Sequence, residues 1–204
     1  MILLERTVKT FLASLSCMFL RGYIIDPLKH FIRDRKMSYR DCIKFIIWYN
    51  GRNNDTEAAE YFKVFKKKKY ETMSHQAIGR QRIYINPDLF IQIYKKFIDK
   101  IYKTHKHFSE FKGYIIAACD GSIFDLPNVT LTREQFNIKP SSIVKKERIR
   151  ARVSGFMDVN SKFMLVTKIT EKSVKKTTLA MEHLEELKKR INIEKFIGIY
   201  DRGY

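Results

Sequence analysis

The chain has 204 residues, 45% of them hydrophobic, enough to bury a core and to exclude general disorder. Forty Lys and Arg against 22 Asp and Glu leave a formal net charge of +18, a surplus that attracts polyanions through phosphate neutralisation and counterion release. The three cysteines are odd in number, widely spaced and set in apolar runs, which indicates neither a disulfide framework nor a zinc cluster. They read as buried thiols of a reducing cytoplasm. Sign alone does not choose between nucleic acid and an anionic membrane surface.

Residues 1 to about 108 read as helical. The apolar stretch Thr10 to Leu20, behind Arg6 and Lys9, has the look of a signal peptide. No small-x-small cleavage site follows it, and it is too short to span a bilayer, so it reads as a buried first helix. Ser38 is placed to cap a helix that turns Cys42, Phe45, Ile46 and Trp48 inward and ends near Gly51. Asn54-Asp55 can cap the next, with Ala58, Ala59, Phe62 and Phe65 on one side. Lys66 to Lys69 reads as a solvated connector. Ser74 caps a short helix to Arg82. If this and the preceding helix form a helix-turn-helix, Gln76, Arg80 and Arg82 meet bases or phosphates; on a plain bundle the same residues face water.

From Pro87 runs the clearest helix, with Leu89, Phe90, Ile93, Tyr94, Phe97, Ile98, Ile101 and Tyr102 on one stripe. The polar stretch Thr104 to Lys112 then marks a boundary, giving a helical domain over 1–110 and a second domain over 111–204. His105 and His107 in that stretch have no partners at metal-ligand spacing and read as surface residues.

Beyond the boundary the periodicity changes. Tyr114 to Cys119 and Phe196 to Tyr200 are continuous apolar runs, as expected of strands buried on both faces. Each ends in an aspartate followed closely by glycine, Asp120-Gly-Ser and Asp201-Arg-Gly. A polar loop is expected over residues 121 to about 147, then a hairpin of Arg148–Val159 and Lys162–Thr170 turning at Asn160-Ser161. A helix over 177–191 follows, burying Leu179, Met181, Leu184, Leu187 and Ile191. A helix between strands returns the last strand parallel to the first, placing Asp120 and Asp201 at one sheet edge. Two carboxylates there suit a hard divalent cation. The fold class is therefore α+β with a mixed sheet in the second domain.

These residues resemble the DDE transposases of bacterial insertion sequences, in particular the group whose second aspartate lies in an Asp-Arg-Gly-Tyr motif. Asp120-Gly-Ser122 and Tyr200-Asp-Arg-Gly-Tyr204 carry the likeness, with Arg35-Lys-Met-Ser-Tyr-Arg-Asp-Cys-Ile43 and Ser74 to Arg82 in the helical half. The resemblance implies a helical DNA-binding domain before a ribonuclease-H-like catalytic domain. It also implies two Mg²⁺ or Mn²⁺ ions held by two aspartates and a glutamate, and double-stranded transposon-end DNA as partner. Asp120 and Asp201 match the first two carboxylates, and Arg202 stands where it would meet a DNA phosphate or pair with a surface acid.

The family's third carboxylate follows the second motif, and here the sequence stops at Tyr204. Glu171 and Glu182 precede Asp201 and do not take its place. The expectation is a truncated transposase, cytoplasmic and nucleoid-associated, pairing with itself or with a full-length relative. It would bind metal weakly, leave catalysis incomplete and expose a sheet edge prone to aggregation. A non-catalytic DNA-binding inhibitor of a full-length transposase is the alternative reading, and a ribonuclease-H-like nuclease unrelated to transposition ranks last.

Overall fold

The computed structural model describes residues 18–32, 36–65, 73–104, 110–136, 148–190 and 195–202. The chain is α+β and divides into two compact units, Met1–Phe97 and Ile98–Tyr204. That division falls inside a helix, earlier than the boundary expected after residue 110. The expected first helix up to Cys17, the Lys66 to Lys69 connector, His105, His107 and Ile191 lie outside the described residues.

In the first unit a 3-10 turn over Met18–Tyr23 precedes helices α1 (Tyr39–Trp48), α2 (Asn54–Phe65) and α3 (His75–Arg82). Ser38 caps α1 reciprocally: its hydroxyl accepts from the Asp41 N–H at 3.2 Å, and the Asp41 carboxylate accepts the Ser38 N–H at 3.1 Å. This capping box contributes about 1 kcal/mol. The start of α2 differs from expectation, because Asn53 supplies the capping oxygen, accepting the Asp55 N–H at 2.9 Å. The α1–α2 turn is instead tied by Glu57, which is buried and accepts the N–H groups of Asn50 and Arg52 at 3.0 and 3.1 Å. The buried stripe of α2 is accordingly Glu57, Ala58, Tyr61 and Phe62, while Ala59 and Phe65 are exposed. Cys42, Ile43, Phe45, Ile78 and Leu89 complete this core with Tyr61 and Phe62. Helix α4 (Asp88–Thr104) starts behind Pro87, where the Asn86 side chain accepts the Asp88 N–H at 2.9 Å.

The second unit holds a five-stranded mixed sheet. Strand β1 (Glu110–Phe111) forms a short hairpin with β2 (Tyr114–Leu126), and both turn residues are left-handed, Lys112 at φ +49° and Gly113 at φ +82°. A short helix α5 (Thr130–Gln135) leads on; β3 (Ile149–Asp158) and β4 (Met164–Glu171) then pair antiparallel, and β3 pairs antiparallel with β2. Helix α6 (Lys176–Arg190) crosses back to β5 (Phe196–Tyr200), which pairs parallel with β2 as the helix between strands requires.

Three expectations are corrected here. Strand β2 does not stop at Cys119 but runs 13 residues, so Asp120 sits inside the strand and the expected loop from residue 121 starts only after Leu126. A full set of partners on β3, from Ser122↔Val153 to Leu126↔Ile149, carries the ladder through Gly121. Neither apolar run is buried on both faces. In β2, Ile115, Ala117 and Cys119 are buried while Ile116 and Ala118 are only half-buried; Ile197 and Ile199, on one face of β5, are exposed. On α6, Leu179, Ala180, His183 and Leu187 face inward and Met181 is exposed.

A candidate cation site between two parallel strands

The last registered pair between β2 and β5 is Cys119↔Tyr200. The next residue on each strand is an aspartate, so the parallel ladder delivers Asp120 and Asp201 side by side. Lys176, the first residue of α6, lies between them, with its ammonium donating to Asp201 Oδ2 at 3.2 Å and to Asp120 Oδ1 at 3.3 Å. The Gly121 N–H donates to Asp120 Oδ1 at 2.6 Å, which fixes that carboxylate against its own strand.

Exposure separates the three side chains. Those of Asp120 and Asp201 are 70% and 52% exposed, whereas that of Lys176 is 23% exposed. The carboxylates are thus open to a ligand from solvent while the lysine reaches them from the protein side. Its hydrogen bond to Asp201, joined by that to Asp120, holds the ammonium above the usual lysine pKa, so it stays charged. Open ion pairs of this kind add only about 0–1 kcal/mol to stability. Two opposed anions gathered around one cation are therefore better understood through what they bind than through what they stabilise.

The neighbours of the pair are set by packing. Tyr200 lays its ring edge-on to Phe156, centroids 5.6 Å apart, and Gly198 leaves room for it: a Cβ there would lie 3.1 Å from the Tyr200 ring. Behind Gly121, His183 Nε2 lies 3.2 Å from Ser154 Oγ, and burial lowers the His183 pKa so that the imidazole is neutral. Cys119 and Cys42 are buried, and burial pushes the Cys42 thiol up to about 12, away from nucleophilic chemistry.

The donor set fits one hard divalent cation, since Mg²⁺ commonly takes one or two carboxylates and completes its shell with water. The position between the carboxylates already holds a cationic group. Among the described residues no group of three or more His, Cys, Asp or Glu could hold a metal. Glu182, set aside from the sequence, is engaged by Lys168 at 2.6 Å.

Gln76, Arg80 and Arg82 are all exposed on α3, and the capping Ser74 accepts the Ala77 N–H at 3.4 Å. Gln76 and Arg80 line a cavity of about 500 Å³ together with Lys36 and Tyr84. Arg202 is exposed one residue beyond Asp201. Lys176 was not legible as a site residue, because Lys175-Lys176 reads like any other basic pair in a chain with 40 Lys and Arg residues. Among the described residues no helix is long and apolar enough to cross a membrane. Comparison with protein families, with curated proteins and with solved structures finds no match to this chain.

Proposed function

We propose that the chain is a DNA-binding protein of the DDE-transposase type, acting on transposon-end duplex DNA in the bacterial cytoplasm. The observation that carries this reading is the parallel β2–β5 register, which sets Asp120 beside Asp201. The sheet order β4-β3-β2-β5, with three antiparallel strands and a helical crossover before the parallel one, supports a ribonuclease-H-like core. In this reading Asp120 and Asp201 bind Mg²⁺ or Mn²⁺. A divalent cation bound there stabilises the negative charge that builds on phosphate oxygens during phosphodiester chemistry. Gln76, Arg80 and Arg82 contact transposon-end DNA, and Arg202 neutralises a phosphate next to the acidic pair.

A second reading keeps the DNA binding and drops the catalysis: a binder of transposon ends that inhibits a full-length transposase by competition or by pairing with it. The Lys176 ammonium seated between Asp120 and Asp201, in the position a catalytic cation would take, favours it. A gel shift on duplex DNA at two salt concentrations, beside a nicking assay with Mn²⁺ on the same DNA, tests both. The chain is expected to shift the duplex, and Arg80→Ala and Arg82→Ala are each expected to reduce the salt slope by about one. Shift without nicking selects the inhibitor. No shift at low salt, or a shift indifferent to both substitutions, overturns the assignment of DNA binding to α3.

A further inference from the structure

The two carboxylates and the lysine between them raise a question that the metal reading leaves open. A divalent cation bridging Asp120 and Asp201 would have to occupy the space where the Lys176 ammonium now donates to both, at 3.3 and 3.2 Å. Two cations cannot share that position, because the repulsion between them would cancel what either gains from the carboxylates. We propose that Lys176 is the resident counter-ion of the site, and that a divalent cation enters only by displacing its ammonium from Asp120 and Asp201. The inference rests on the proposed cation site and adds to it the group that sets its affinity.

The surroundings are suited to such an exchange. Lys176 is anchored at the first residue of α6, whose Leu179 and Ala180 are buried one turn on, so the root of the side chain is fixed while its four-carbon stem can swing. The carboxylates keep their open sides toward solvent, so a hydrated ion can approach before the lysine leaves. Without a metal, the ammonium offsets the repulsion between the two acids. Lys176 is thus a positioning residue for the empty site and a competitor for the filled one.

Mn²⁺ binding to the full chain, followed by the loss of the free-ion electron paramagnetic resonance signal at fixed ionic strength, tests this. Lys176→Met is expected to tighten Mn²⁺ binding by about tenfold or more, because a charge in direct contact acts strongly while one held in solvent is screened. Lys175→Met removes the same charge one residue away and is expected to change affinity by no more than about twofold on the same argument. Lys176→Gln, which keeps a polar side chain, should behave like Lys176→Met and covers a folding defect in either variant. Equal affinities for wild type and Lys176→Met overturn the displacement but leave the cation site standing. Equal tightening by Lys175→Met and Lys176→Met reduces the effect to general charge and overturns it too. No Mn²⁺ binding by any of the proteins overturns the cation site itself.

Discussion

Gly155→Ala is expected to destabilise the sheet unit by about 3 kcal/mol or more, lowering its thermal midpoint by roughly 12 °C or more. Gly155 lies in the middle strand of three, opposite Asp120 on β2 and Thr167 on β4. A Cβ at this position would overlap the carbonyl oxygen of Val166 and lie 2.9 Å from Met164 Cε and 3.1 Å from Thr167 Cγ2. The methionine can move aside, but the carbonyl belongs to the backbone of the neighbouring strand, so β4 must part from β3. Gly121 provides the contrast. A Cβ there would meet Ser154 Cβ at 3.5 Å, an ordinary contact, and Gly121→Ala is expected to cost well under half as much. Hydrogen exchange of the full chain reads the difference: amides of β3 and β4 should lose protection in Gly155→Ala and keep it in Gly121→Ala. Unchanged protection in Gly155→Ala would mean that the strands yield without cost.

Asp158→Ala carries the next largest expected loss, about 3 kcal/mol, from hydrogen bonds to a buried charged group. Asp158 is fully buried at the end of β3. One carboxylate oxygen accepts the N–H groups of Asn160 and Ser161 at 2.8 and 3.1 Å, and the other accepts the Tyr102 hydroxyl. Alanine leaves two turn amides and a phenol without that acceptor, whereas asparagine keeps a carbonyl oxygen for part of the set. Asp158→Asn should therefore cost about half as much. Urea denaturation of the three proteins measures the order. An alanine variant within 1 kcal/mol of wild type would show that water replaces the carboxylate freely.

Much of the secondary structure was legible because its signals are local. The cap at Ser38, the cap at Ser74, the long stripe behind Pro87 and the turn at Asn160-Ser161 all depend on residues within one or two turns of chain. The adjacency of Asp120 and Asp201 was also legible, since a helix between two strands forces the second to run parallel to the first. What escaped was set by distant partners. Gly121-Ser122 has the composition of a turn, yet the β3 ladder holds it in a strand. Ile197 and Ile199 have the composition of a core, yet no described neighbour covers their side of β5. Lys176 and Asp158 acquire part of their roles from side chains more than 50 residues away in sequence, Asp120 in one case and Tyr102 in the other, which no periodicity encodes.

Whether Asp120 and Asp201 hold one divalent cation between them, as proposed, can be read by iron-directed cleavage. Fe²⁺ loaded into the full chain in place of Mg²⁺, with ascorbate and hydrogen peroxide, generates hydroxyl radical at the bound ion and cuts the nearby backbone. Cuts are expected at two places far apart in sequence, near residue 120 and near residue 201, both suppressed by excess Mg²⁺ and both lost in Asp120→Asn and in Asp201→Asn. Cuts at only one of the two places, or cuts that survive both substitutions, would contradict a shared site.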